Sequence, residues 1–266
     1  MSLESDYSTQ PREVSLETFA KCNAACTFCP YPTLDRIGEK MSDALIDKLI
    51  GEMSEWEVPF TFCPFKVNEP LLDKRLMPIL ERIENETIAD IRLFTNGQAL
   101  TWKWIEQINQ LDRLKVLWVS LNTHDPLEYA RVMGINFETT AKNLDMLHDS
   151  DFIHPVVLSR VGYDEAFARY VNSRWPRFTP FLVKRDGWLG HVDPEVDEVP
   201  NVPCSRWDEL SIMANGIVSL CCMDGTGEYA IGDVNKQTML KVYQTWRMVR
   251  GDKSRSEIEP CNRCTY

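Results

Sequence analysis

Apolar runs of strand length alternate with amphipathic runs of helical spacing along the first two-thirds of the chain. Few folds accommodate that rhythm. Strands are predicted at Val14–Phe19, Phe60–Phe65, Ile88–Phe94, Lys115–Leu121, Pro155–Ser159 and Phe178–Val183. Between them, Leu45, Ile46, Leu49, Ile50 and Met53 recur at helical spacing, with Ser42 placed as an N-cap. Leu76, Ile79, Leu80 and Ile83 form a second stripe, Ile105, Ile108 and Leu111 a third, and Phe137, Ala141, Leu144 and Leu147 a fourth. A weaker fifth helix is expected around Ala166 to Val171. Such alternation predicts an α/β fold, a parallel sheet with helices packed outside it. An open sheet and a barrel both satisfy the pattern. In either, function gathers in the loops at the carboxyl ends of the strands.

Cys22, Cys26 and Cys29 follow the first predicted strand directly, in a C-x₃-C-x₂-C run. Three thiolates hold three corners of a four-iron, four-sulfur cluster and leave one iron open to another ligand. A structural zinc site is the alternative, but zinc takes a fourth nitrogen or sulfur ligand and usually paired C-x₂-C knuckles. The uneven run, with no His or fourth Cys close by, fits zinc poorly.

The spacing resembles the signature of radical S-adenosylmethionine (SAM) enzymes. The resemblance implies a partial (β/α)₆ barrel, here over residues 1–190. It also implies that the open iron chelates the amino and carboxylate groups of SAM, with Phe28 flanking the adenine. Asn68-Glu69-Pro70, after the second strand, resembles the family's Gly-Gly-Glu-Pro segment, whose carboxylate receives the SAM ammonium. Glu69 is the carried-over residue. Val67 and Asn68 stand where glycines are usual, which leaves the loop path open.

Thr95-Asn96-Gly97 resembles the Thr-Asn-Gly segment that borders the SAM site, although Asn-Gly alone is just a turn. Ser120 and Asn122 end the fourth strand, where the family places contacts to the ribose and carboxylate of SAM; a solvated loop is the alternative. Arg160 ends the fifth strand. It is a candidate substrate anchor, less readily a proton acceptor, because a guanidinium is a poor base. Pairing with a neighbouring carboxylate is the commoner fate of such a residue. Cys63 reads as a small buried strand residue; some radical SAM epimerases use a barrel-mouth thiol to return a hydrogen atom, and Cys63 is the candidate for that role.

Beyond residue 190 the rhythm changes. Acidic, proline-bearing Glu195 to Pro203 reads as a linker. Leu210–Ala214 and Ile217–Cys221 flank Asn215-Gly216, a hairpin signal. One helix follows, carrying Met239, Leu240, Val242, Tyr243 and Trp246. Cys204-x₁₁-Gly216-x₄-Cys221 and then Cys261-x₂-Cys264 resemble a shortened SPASM pattern, the "twitch" domain. The resemblance implies a small unit over residues 191–266, a hairpin plus a helix, that binds a second [4Fe–4S] cluster through Cys204, Cys221, Cys261 and Cys264. Cys222 competes with Cys221, and the Gly-x₄-Cys spacing selects Cys221. A zinc ribbon is the rival reading.

Nine cysteines, an odd number bunched at two places, argue against a disulfide framework. The N-terminus lacks signal-peptide features and no run is long and apolar enough for a bilayer, so a cytoplasmic protein without a membrane partner is expected. Forty acidic against 29 basic residues leave a net charge of −11, which disfavours a nucleic-acid partner. The resemblance implies two [4Fe–4S] clusters and SAM as cofactors, an external one-electron reductant such as flavodoxin or ferredoxin, and a 5′-deoxyadenosyl radical that abstracts hydrogen from a substrate C–H bond. The second cluster then suits net oxidation, a dehydrogenase-like oxidoreductase acting on a small polar metabolite such as an aminocyclitol or sugar. A maturase of ribosomally made peptides is the alternative, although only about 13 residues precede the first predicted strand. A non-catalytic electron carrier is the third reading, and the vacant iron speaks against it.

Overall fold

Strand β1 (Glu13–Leu16) lies inside a nine-stranded sheet of order β6-β5-β4-β3-β2-β1-β7-β8-β9. The computed structural model describes residues 9–195 and 198–266, so the N-terminal signal reading and Val196 and Asp197 of the predicted linker lie outside the described residues. β2 (Thr61–Cys63), β3 (Asp90–Thr95), β4 (Leu114–Ser120), β5 (Val156–Val161) and β6 (Thr179–Val183) extend from β1 in strictly parallel pairs. Each predicted strand is present with shifted ends, and β6 and β9 remain as edges. This is the partial (β/α)₆ arrangement.

Helices α1 (Asp43–Ser54), α2 (Leu76–Glu86), α3 (Trp102–Ile108), α5 (Phe137–His148) and α6 (Glu165–Arg174) stand where helices are predicted, although Leu111 of the third stripe falls beyond the end of α3. Their apolar faces close one core with the sheet, including Leu49, Leu80, Ile108, Leu144 and Phe167 against Val14, Phe62, Leu93, Leu117 and Leu158. Ser42 caps α1 as expected, its Oγ accepting from Leu45 N at 3.2 Å; caps of this kind contribute about 1 kcal/mol.

Three features escaped the sequence. Helix α4 (Pro126–Met133) sits between β4 and α5, yet buries only Tyr129 and Met133, too few for a periodic signal. β9 (Ala230–Asp233) adds a third strand to the β7 (Glu209–Ile212) and β8 (Ile217–Ser219) hairpin. It is short and contains Gly232, where a Cβ would lie 2.5 Å from Val242 Cγ1 of α7 (Met239–Arg250). Most consequential, β7 pairs in parallel with β1, so the sheet runs unbroken across the sequence boundary near residue 190.

The seam is fastened by a buried ion pair. Arg36 Nε and Nη2 donate to Glu17 Oε2 and Oε1 at 2.8 and 3.1 Å, and Ala214 N donates to Oε2 at 3.3 Å. Arg36→Ala strands the Glu17 carboxylate in the core. The expected cost is about 3–5 kcal/mol, read as a lowered denaturant midpoint at unchanged slope.

Candidate active site

The loop after β1 presents Cys22, Cys26 and Cys29, and α4 holds it in place. Ala25 and Thr27 N–H groups donate to the carbonyls of Met133 and Val132 at 2.9 Å each. Gly134, in the left-handed conformation that ends α4, lets the loop approach; a Cβ there would lie 3.2 Å from that of Ala25. The Cys26 thiol donates to Met133 Sδ at 3.5 Å. Burial pushes the Cys22 thiol up to about 11 and that of Cys29 up to about 12. Cys26 rises further, by burial and then by repulsion from Cys29 and Cys22. The three thiols repel one another when ionised.

Among the described residues, no three His, Cys, Asp or Glu side chains converge on a single-ion site. Thiolates that each bind a different iron of one cube stand wider apart than the ligands of one ion. The metal also supplies the positive charge that buried thiolates need. The donor set fits an iron–sulfur cluster.

Glu69 is the hub beside it. Its Oε1 accepts from Thr95 Oγ1 at 2.8 Å and Leu71 N at 3.1 Å, and its Oε2 from Asn96 N at 2.7 Å. Asn96 Nδ2 donates to Asn23 Oδ1 at 2.7 Å and lies 3.8 Å from Cys22 Sγ. The structure therefore brings Glu69, Thr95 and Asn96 together against the cysteine loop. Burial lifts the Glu69 carboxyl from 4.5 to about 7, against the pull of its donors. The loop needs no glycine at 67 or 68: Asn68 Oδ1 accepts from Lys66 N at 2.9 Å, and neither residue has positive φ.

The other candidates fall in different places. Asn122 adopts a left-handed φ of 64°. Its Nδ2 donates to Met133 Sδ at 3.0 Å and its Oδ1 accepts from Val161 N at 2.9 Å. Met133, which sequence reasoning missed, thus links the fourth strand end to Cys26. Ser120 is half-buried at the end of β4, and Phe28 is half-buried against the main core. Arg160 donates to the Asn122 carbonyl and lies 3.7 Å from Glu128 and 3.5 Å from Asp164, the paired fate weighed for it. Cys63 is buried beside Ser15 on β1, and burial raises its thiol well above the ordinary value. That environment matches a packed strand residue.

Cys204, Cys221, Cys261 and Cys264 line one small cavity, together with Trp207, Leu220 and Arg255. Burial raises the thiols of Cys261 and Cys264, and Arg255 opposes the rise at both. Trp207 Nε1 and Arg255 Nε are buried without a nitrogen or oxygen partner, and both side chains line this cavity. Trp207 is directed at the Cys261 thiol and Arg255 at that of Cys204, donors that fit a cluster whose sulfurs accept hydrogen bonds. Cys222 is outside the lining; Arg206, Glu209 and Lys66 are its charged neighbours. Lys66, fully buried, donates to Ser211 and Ser219 hydroxyls at 3.0 and 2.7 Å and to the Cys221 carbonyl at 3.3 Å, fixing the cysteine's backbone.

One dipeptide touches both cysteine regions. Trp188 and Leu189 have φ of 46° and 57°, a conformation costing a bulky residue roughly 1–3 kcal/mol. Trp188 packs on Tyr31, Leu34 and Val67, as do Cys22 and Cys29. Gly225 makes room for it; a Cβ there would lie 3.2 Å from Trp188 Cε3 and 2.7 Å from Pro30 Cγ. Leu189 lines the four-cysteine cavity.

Comparison with known proteins agrees with this geometry. The family model for the radical SAM superfamily matches residues 16–166, more than half of the chain, and that for the SPASM iron–sulfur cluster-binding domain matches residues 204–265. The chain belongs to the radical SAM superfamily, and is a radical SAM enzyme. Within it, the C-terminal unit makes it one of the SPASM/twitch members, with SAM and iron–sulfur clusters as its cofactors. A probable GTP 3′,8-cyclase of Methanococcus maripaludis is 34% identical over 149 residues, 54% of this chain and 48% of that protein. The chain thus spans about half the length of the curated relatives it matches. Among solved structures, BtrN in complex with AdoMet and 2-DOIA superposes with a TM-score of 0.69 at 16% identity, covering 96% of this chain and 93% of BtrN. Streptococcus suis SuiB bound to precursor peptide SuiA gives 0.72 at 13% identity, covering 96% and 70%. No helix of the described residues is long and apolar enough to cross a membrane.

Glu69 is our candidate acceptor for the SAM ammonium, and its raised carboxyl gives the test. The ionised form must be present to bind a cation, so SAM affinity of the reconstituted protein is expected to rise as pH increases through about 7 and then level. Glu69→Gln should bind SAM more weakly, without that pH dependence and with both clusters assembled. A folded carboxyl above its unfolded value also makes SAM-free protein lose stability as pH rises from about 4.5 towards 7, a loss Glu69→Gln should abolish. Isothermal titration and thermal melts across that range check both.

Proposed function

We propose that this enzyme oxidises its substrate by hydrogen-atom abstraction followed by electron removal, a dehydrogenase-like reaction on a small polar metabolite such as an aminocyclitol or sugar. The observation that carries the reading is the four-cysteine cavity. Four thiolates leave no iron open, so a cluster there suits electron transfer rather than substrate or SAM ligation. When bound, SAM and the cluster at Cys22, Cys26 and Cys29 supply the 5′-deoxyadenosyl radical that takes hydrogen from a C–H bond. The chain's own part is positioning. Glu69 and Asn96 hold the polar end of SAM beside the cysteine loop, and Ser120 and Asn122 border it from β4. Arg255 and Trp207 direct N–H groups towards the sulfurs of the second site, which favours added negative charge there. Arg160, already paired with Glu128 and Asp164, serves as a substrate anchor only through its remaining N–H groups.

The likeness to BtrN supports the fold, and the 2-DOIA of its structure suggests the substrate class for this one. A second reading, peptide modification, is favoured by one observation. On the sheet face away from the helices, Phe65, Phe94, Trp118 and Phe181 form a row of rings with centroids 5.1, 5.7 and 5.1 Å apart. Phe181 is on edge strand β6 and exposed. An apolar side chain of a peptide fits that wall better than a cyclitol does.

Anaerobically reconstituted protein is expected to hold about eight irons. Replacing Cys261 and Cys264 by Ala should leave about four, with reductive SAM cleavage retained. Offered a panel of aminocyclitols and amino sugars, intact enzyme should form a ketone and place substrate hydrogen in 5′-deoxyadenosine. The double variant should still transfer hydrogen but form little ketone, provided far-UV circular dichroism shows it folded. Full ketone yield from that variant would remove the electron-acceptor role. Turnover of peptides alone would favour the second reading.

A further inference from the structure

Lys66 is fully buried, yet the acceptors around its ammonium are all neutral. They are the Ser211 and Ser219 hydroxyls, at 3.0 and 2.7 Å, and the Cys221 carbonyl at 3.3 Å. Ser219 directs its own proton at the Ser211 and Cys221 carbonyls, at 3.3 and 3.0 Å, which leaves its oxygen to accept from the lysine. Three acceptors match the three protons of an ammonium. The charges that act on Lys66 are those of Asp224, Glu17, Cys221 and Cys222. Both carboxylates are engaged elsewhere. Arg36 binds Glu17, and Asp224 accepts from the N–H groups of Gly227, Glu228 and Tyr229 at 3.0, 3.0 and 3.1 Å. A buried cation without an ion partner is costly. This one calls for a negative charge beyond those of the neighbouring carboxylates.

The four-cysteine site adjoins it through Cys221, whose carbonyl Lys66 holds. A cubane bound by four thiolates is net negative, and net charge is one of the factors that set its reduction potential. Reduction adds a further negative charge. A fixed ammonium close by, out of water, favours the reduced form more than the oxidised one. Arg255 acts on the site from within the cavity lining, whereas Lys66 is outside that lining and reaches Cys221 past Ser211 of β7 and Ser219 of β8. The lysine also comes from the other half of the chain. It follows β2, and two of the next three residues serve the first site. Val67 packs on Tyr31 and Leu34, as do Cys22 and Cys29, and Glu69 is the hub bonded to Thr95 and Asn96.

We propose that Lys66 is a positioning residue that raises the reduction potential of the auxiliary cluster, making that centre the better electron acceptor. No bond forms or breaks at the lysine, and its protons stay on it. Only the source of the accepted electron rests on the oxidative reading above.

A redox titration of the anaerobically reconstituted holoenzyme, followed by electron paramagnetic resonance, tests this. SAM is added so that its binding at the first cluster separates that signal from the second. At the potential that half-reduces the wild-type auxiliary cluster, Lys66→Met should show a reduced-to-oxidised ratio about tenfold lower, a shift of about 59 mV to lower potential for one electron. Lys66→Arg keeps the charge and should stay close to wild type. Ser211→Ala removes an acceptor but no charge, and should also stay close. A purely structural lysine would cost stability in Lys66→Met and leave the potential where it was. If Lys66→Met assembles about four irons and Lys66→Arg about eight, the charge is needed to hold the cluster at all, and the assignment stands. An unchanged potential in iron-replete Lys66→Met overturns it, as does an equal loss of potential or iron in Lys66→Arg or Ser211→Ala. No substrate enters this measurement, so it fails independently of the ketone assay that decides the oxidative reading.

Discussion

Strand β1 is paired on both sides, and the rest of the molecule depends on it. Glu13 to Leu16 bond in parallel to β2 on one side and to β7 on the other. Val14 and Leu16 point into the helix-covered core, while Ser15 meets Cys63 and Ser211 across the sheet. The loop that follows carries the three cysteines. Without β7 on its far side, β1 would be an edge with unsatisfied backbone groups. With it, the radical-generating half and the auxiliary half share one hydrogen-bonded frame, pinned by the Glu17–Arg36 pair and by Lys66 on Cys221.

Much of this was legible in the sequence because it is local. Cysteine spacing, strand–helix rhythm and the Asn215-Gly216 turn each lie within a short window. At Gly216 only a glycine serves: φ is 83°, and a Cβ would lie 2.3 Å from Asn235 Nδ2. The gathering of Glu69, Thr95 and Asn96 was also foreseeable from a family pattern. What stayed hidden is non-local. Residues 13 and 209 pair although most of the chain lies between them, with no periodicity to announce it. Met133 earns its place through a sulfur shared by Asn122 and Cys26, and a lone methionine on a short helix carries no signal. Cys221 lines the four-cysteine cavity and Cys222 does not, a difference of orientation that adjacent residues in a string do not display.

Buried charge is handled consistently. Glu69 is ringed by N–H and O–H donors, yet burial keeps its carboxyl hard to ionise. The cysteine sets behave likewise: their thiols resist ionisation until a metal accepts the charge. Preorganised but electrically incomplete sites bind their cofactors as counter-charges, and the fold gains stability when they arrive.

Trp188 and Leu189 give this coupling a direction. A left-handed pair of bulky residues persists only while its surroundings hold it. Those surroundings are the packing around Cys22 and Cys29 on one side and the four-cysteine cavity on the other. A change in the packing around Cys22 and Cys29 is therefore passed through this dipeptide to the wall of the four-cysteine cavity, and a change in that wall is passed back.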